Sequence, residues 1–297
     1  MLAASLATFL FALSSVAAKR SVTLLGSATA NLLRIALGTL ILGLLAHTLG
    51  VGLGGPSLGW FIVSGIIGFG ICDTAIFLAL PRLGAQLTSL MVQCLAAPIA
   101  ALTEWLWLGT QLGNGQLIAG AVILAGVGVA LFPGRGPSLA AHAGWLGLAL
   151  GGIAAAGQAW GAVLSRHGQL LSRAAGHPVD GLSVAYQRIL AGLAFTIAWW
   201  LWARASGRFG APTGNIPWRR ASPWIAVNAL SGPSLGVAAY QWALQMQPTG
   251  VVMAITALTP LAVIPLAWWI DGERPTRRSV AGGALAVTGA VWLALHR

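Results

Sequence analysis

The sequence predicts an all-α integral membrane protein of ten transmembrane helices, arranged as two inverted five-helix repeats. Three observations carry this. Only 7% of the 297 residues are charged against 57% hydrophobic, and mean hydropathy is +0.83, whereas a soluble domain carries about a quarter charged residues. The chain offers ten apolar runs, each close to the roughly 20 residues that a spanning helix needs. The two halves also repeat each other's motifs in the same order.

The runs fall at 1–18, 27–49, 58–80, 85–108, 114–132, 143–165, 183–202, 222–245, 249–270 and 279–295. The first lacks the basic leading segment of a signal peptide and reads as helix one. Helix two carries RIALG from Arg34, which matches RILAG from Arg188 in helix seven. Trp60, Gly68, Ala75, Ala79 and Leu80 of helix three recur at the same spacing in helix eight as Trp224, Gly232, Ala239, Ala243 and Leu244. Pro98, Gly109, Gly120, Ala121 and Gly126 of helices four and five answer to Pro260, Gly272, Gly283, Ala284 and Gly289 of helices nine and ten. Collinear matches of this kind are the mark of duplication. The first repeat covers 1–132, PGRGPSLAAH at 133–142 connects, and the second repeat covers 143–297.

Five helices per repeat is an odd number, so the second copy enters the bilayer from the opposite face. Inverted repeats suit secondary transport, because two similar halves can exchange conformations around a site between them. The 40 glycines fit close helix approach. The net charge of +11 is spread singly or in pairs at the ends of apolar runs. That is a topology signal and excludes a nucleic-acid face. Cys72 and Cys94 lie inside apolar runs and read as packing residues. No HExxH, CxxC, paired-carboxylate or nucleotide-phosphate motif occurs, so neither a metal, a cofactor nor an enzyme reaction is expected.

The sequence resembles the drug/metabolite transporter superfamily and, within it, the ten-helix EamA-type permeases. The resemblance lies in the arginine-bearing helices two and seven, and in LWLGTQLGNGQLIAGAVILAG and WWIDGERPTRRSVAGGALAVTG, which close the proline-bearing helices four and nine. It departs at Thr110, where the second half has Glu273, and at FALSS in helix one, where helix six has Trp160 and Gly161. The resemblance implies a secondary transporter that exports amino acids, metabolites or drugs across the cytoplasmic membrane, or exchanges solutes. The expected partners are a small solute, protons and lipid, with the monomer sufficient because both repeats share one chain. A membrane enzyme or lipid-remodelling protein is the competing class.

Asp73 stands in GFGICDTAIF, inside an uncharged stretch from Val51 to Pro81. An acid at membrane depth seeks a partner or a wet cavity. Counted from the same face, Arg34 in helix two and Asp73 in helix three lie at similar depth, roughly 10 Å in at 1.5 Å per residue. The pair is therefore expected to couple protons or to bind a substrate amine, with Gly68 and Gly70 leaving room beside the acid. Its repeat mate is Val237. Glu104 and Arg188 match in depth from the other face and are expected to form a structural ion pair.

Gln86, Ser89 and Gln93 share one face of helix four at spacings of three and four. Their mates in helix nine are Thr249, Val252 and Thr256, so Thr249 and Thr256 are placed on the solute path as well. Gln158 and Trp160 of helix six, and Tyr240 and Gln241 of helix eight, complete the expected substrate-binding set. Tryptophans near helix ends, such as Trp105, Trp202, Trp268 and Trp269, read as interfacial anchors.

The face bearing the loops after helices one, three, five, seven and nine, hereafter the first face, carries eleven of the loop arginines and lysine. The opposite, second face carries three. The charge count puts the first face in the cytoplasm and both termini outside, whereas the family resemblance implies termini inside. A reporter fused after Arg297 that is active only in the cytoplasm is expected to stay silent, and its activity would reverse the assignment.

Overall fold

The computed structural model describes residues 1–109, 113–131, 139–206, 217–271 and 277–295, with the backbone alone at 84–87, 90, 130, 131, 139–144, 267, 271, 279 and 293–295. The described residues are helical throughout, in ten spans: α1 Leu2–Leu25, α2 Ser27–Leu49, α3 Leu58–Leu83, α4 Met91–Leu108, α5 Asn114–Leu131, α6 Leu139–Ala174, α7 Gly181–Ser206, α8 at 218–246, α9 Thr249–Ile270 and α10 Arg277–Leu295. Several ends shift, α1 for one running to Leu25 past the expected 18, and two differences bear on the site. Helical hydrogen bonding continues through Pro81 from Asp73 to Leu108, yet the rings of Trp60 and Trp107 lie 5.9 Å apart. A straight helix between those residues would separate them by roughly 70 Å, so the chain reverses between α3 and α4 as a hairpin. The second difference is α6, which begins at Leu139 and runs to Ala174, past the expected end at 165.

Each repeat embraces the other. Helix α1 packs on α8 and α9, and α6 packs on α3 and α4, while α2 pairs with α7 and α5 with α10. The α5–α10 contact is made by glycines at equivalent repeat positions. A Cβ on Gly126 would lie 2.5 Å from the Ala286 nitrogen, and one on Gly289 would lie 3.0 Å from the Ile123 nitrogen. Backbone thus meets backbone, the close approach that small residues allow in lipid. Helices α3 and α8 share a further feature, π-helical turns at Ile66–Cys72 and Leu230–Ser234. The extra residue widens the helix at corresponding positions in both repeats, beside the middle of the molecule.

The second face is tied by polar groups from the start of α7. Asp180 accepts from the N–H of Val51 at 3.0 Å, and from the N–H and hydroxyl of Ser183 at 2.9 and 2.7 Å. The Gln187 amide donates to the carbonyls of Gly52 and Gly54 at 2.8 and 2.9 Å. Together they fasten the α2–α3 loop of one repeat to α7 of the other. Partial burial alone would raise the Asp180 carboxyl, but the hydrogen bonds from Ser183 and Val51 outweigh it and hold the group below its usual value. The folded state therefore binds this proton less readily than the unfolded chain, and stability rises with pH. The contribution is complete above the ordinary carboxyl value of about 4 and is lost as pH falls through the lowered folded value. On acidification from about pH 6 to about pH 3, wild type is expected to lose more melting temperature than Asp180→Asn, measured by thermal scanning in detergent. Parallel curves would show that Asp180 holds nothing.

Candidate functional site

A cavity of about 160 Å³, measured as the space open to the centre of a water molecule, lies between the repeats. Helices α1, α2, α3, α4, α6, α7 and α8 all reach it. From α1, α3 and the start of α4 it is lined by Ser14, Ala18, Ile76, Leu80, Thr88 and Ser89 among others. These lie toward the first-face ends of their helices, so the cavity extends from mid-membrane in that direction.

Arg34 and Asp73 meet on its wall. The Arg34 Nη2 forms an ion pair with the Asp73 carboxylate and donates to Asn31 Oδ1 at 3.3 Å. The guanidinium carbon of Arg34 lies 5.0 Å from the Phe77 ring centre. Its side chain is 9% exposed and that of Asp73 16%, so both carry charge in surroundings where an unpartnered ion would be costly. Depth matching had identified this contact from sequence. Of the other residues expected on the path, Ser89, Gln93, Gln158 and Tyr240 line the cavity. The Gln86 side chain lies outside the described residues.

Four expected substrate-binding residues lie elsewhere. Trp160 is 49% exposed at the outer surface, because two residues turn a helix by about 200° and Gln158 already faces inward. Gln241 is fully buried and ties α8 to α6, accepting at Oε1 from the Ser165 hydroxyl at 2.6 Å and from the Gln169 amide at 3.1 Å. Thr256 donates to the Met253 carbonyl at 3.1 Å, on a helix covered by α1, whose Thr8 hydroxyl reaches the Ile255 carbonyl at 3.3 Å. Thr249 belongs to a separate cluster around Glu104.

That cluster corrects the second expected ion pair. Glu104 is not paired with Arg188. Its Oε1 lies 2.7 Å from Arg166 Nε, and it accepts from the Thr249 N–H at 2.9 Å and hydroxyl at 2.8 Å. Arg166 also donates to the Gln247 carbonyl. Equal depth says nothing of the direction in which a side chain points, and with helix six ended at 165, Arg166 read as a loop residue. Because α6 continues to Ala174, Arg166 is a helix residue that bridges α4 to the start of α9. Together with the Asp180 contacts, this joins the two repeats on the second face.

Arg188 instead lines the cavity. Its Nε donates to the Ser64 hydroxyl at 2.8 Å, and that hydroxyl donates to the Gly161 carbonyl at 2.5 Å. Its guanidinium carbon lies 5.4 Å from the Phe69 ring centre. A Cβ on Gly68 would come within 2.8 Å of Arg188 Nη2, and one on Gly232 within 3.4 Å of Arg34 Nη1. Arg188 thus occupies space left by Gly68 in the other repeat's π-helical turn, whereas the space at Gly232 is taken first by the Ser14 hydroxyl, with Arg34 in ordinary contact range. The RIALG and RILAG matches held the signal for Arg188, since the twin of a cavity arginine is itself expected on the cavity. Gly70 has another task, close packing on Phe195, whose Cγ would lie 2.8 Å from an added Cβ.

Ten helices, inverted repeats and a cavity between them that carries an ion pair on a largely apolar wall define a membrane transporter of the two-repeat class. The chain belongs to the EamA-like transporter family, whose model matches residues 1–132 and 145–295. It is thus a multi-pass membrane protein and a transporter of that superfamily. One solved crystal structure is similar over 99% of this chain and 99% of its own, with a TM-score of 0.73 and 23% identity, a likeness of fold. No curated protein sequence matches the chain.

The Glu104 cluster supports a stability test. Arg166→Gln leaves a carboxylate 2% exposed without its cation, a loss of about 3 kcal/mol. Glu104→Gln still accepts from Thr249 through its amide oxygen and costs less. The double variant is expected to recover most of what Arg166→Gln loses, read as melting temperature and yield in detergent. Equal losses in all three would remove Arg166 as the partner.

Proposed function

We propose that the protein is a secondary transporter that exports a small metabolite, amino acid or drug-like solute across the cytoplasmic membrane by alternating access, with proton antiport through Asp73. The Asp73–Arg34 pair on the wall of the central cavity supports this most directly. A carboxylate keeps its charge beside a guanidinium and takes up a proton when left alone in an apolar site. Movement of Arg34 away from Asp73 converts the pair into a proton acceptor. Arg34 and a proton then exclude each other at one carboxylate. Where the solute binds only in the conformation that holds the Arg34–Asp73 pair, proton uptake and solute binding exclude each other, which is the requirement for antiport.

Alternating access also needs one closed face that can open. The Glu104–Arg166–Thr249 cluster and the Asp180 contacts join the two repeats on the second face, while the cavity extends toward the first. A conformational exchange between the repeats breaks those contacts and opens the second face. The monomer suffices, because residues of both repeats in one chain line the cavity.

Asp73→Asn in proteoliposomes tests the proton role. The neutral variant is expected to lose pH-gradient-driven accumulation by roughly tenfold or more, as the coupling group is removed, while solute exchange across equal pH persists. Undiminished gradient-driven accumulation in a folded variant would overturn proton coupling at Asp73. Wild-type exchange that requires solute on both sides and ignores the pH gradient would make the protein a solute/solute exchanger.

A further inference from the structure

The cavity lining holds two guanidinium groups, Arg34 and Arg188, and a single carboxylate, Asp73. Arg34 has the carboxylate. Arg188 has only the Ser64 hydroxyl and the Phe69 ring as direct partners among the described residues. The repeat explains this difference. Val237 stands in α8 where Asp73 stands in α3, at the interval that also relates Gly68 to Gly232. Val237 lines the cavity too, so the second repeat presents an apolar side chain at the position from which the first repeat neutralises its arginine.

A second observation points the same way. The Tyr240 hydroxyl is buried and without a hydrogen-bond partner, on a side chain that lines the cavity. Buried donors of this kind are rarely left unmade. Arg188 and Tyr240 together put a cation and a neutral donor on the wall of one cavity, and among the described residues neither has a carboxylate partner of its own.

We infer that Arg188 and Tyr240 form the receptor for the anionic group of the transported solute, a single carboxylate on a small and largely apolar body. This rests on the transport reading of the same cavity and gives its substrate class. Charge balance selects the class. Two arginines and one acid leave one positive charge, which a monocarboxylate neutralises. A dianionic phosphate leaves the site negative, and a zwitterion, whose own charges cancel, leaves it positive. Phe11, Phe69, Phe77, Ile76 and Leu80 in the lining offer apolar surface to the remainder of the solute.

The experiment uses the full chain in detergent and four probes: phenylacetate, phenylacetamide, 2-phenylethylamine and phenylalanine, titrated by calorimetry. Phenylacetate is expected to bind about tenfold or more tightly than the other three, because only it makes a charge-assisted bond without adding a cation. Arg188→Gln should weaken phenylacetate about tenfold or more, and Tyr240→Phe about threefold, while binding of the amide changes little. Val237→Asp places an acid beside Arg188 as Asp73 stands beside Arg34, and should abolish the preference for phenylacetate. If Arg188→Gln does not fold, Tyr240→Phe and Val237→Asp decide alone.

No phenylacetate binding to wild type, equal binding of acid and amide, or an unchanged preference in folded Val237→Asp would overturn the receptor. The transport reading fails by a different measurement. If phenylacetate shows the expected binding pattern but no flux in proteoliposomes, the receptor stands and transport does not.

Discussion

Placing two arginines in the middle of an apolar bundle is the constraint to which the rest of this structure answers. A guanidinium at membrane depth needs room, hydrogen-bond acceptors and, where one is available, a countercharge. Room for Arg188 comes from Gly68, in a π-helical turn of the opposite repeat, and Arg34 lies in ordinary contact range of Gly232 in the corresponding turn. Acceptors come from Asn31 and Ser64, and the rings of Phe77 and Phe69 lie near the two guanidinium groups. Countercharge is supplied to Arg34 alone. The cavity forms where these requirements meet, because side chains that surround a buried ion cannot also close-pack on one another.

Duplication supplies the framework, and its imperfections supply the chemistry. Where the repeats agree, at Gly126 and Gly289 or at Arg34 and Arg188, the residues hold helices together or define the centre. Where they differ, at Asp73 against Val237, a symmetric scaffold acquires a polar, chemically sided cavity. The same holds for Glu104, which finds its cation on α6 and its donors at the start of α9. Such asymmetry lets one face be fastened while the cavity extends toward the other.

The polar groups fall into two populations by their partners. Gln241, Thr249, Asp180 and Gln187 are engaged by protein donors or acceptors that join helices or fasten a loop. The Tyr240 hydroxyl on the cavity wall has no partner among the described residues, and neither do Asn228 Nδ2 and Thr259 Oγ1 away from the cavity. Buried polar groups in lipid find partners or face a ligand.

The sequence by itself determined the membrane class, the ten spans and the duplication with its inversion, and it placed Arg34 and Asp73 at one depth. Hydropathy, odd helix number and depth are properties of order along the chain, and they survive without coordinates. Ser89 and Gln93 were legible as one helix face from their spacing of four, and Gln158 and Tyr240 as polar groups inside apolar runs. Only the tertiary structure decided azimuth. It turned Trp160 outward, bound Gln241 to Ser165 and Gln169, put Thr256 beneath α1, and gave Glu104 to Arg166 instead of Arg188. A helix rotates by about 100° per residue, so depth fixes how far a side chain lies from the membrane surface, while packing of the neighbouring helices fixes what it faces.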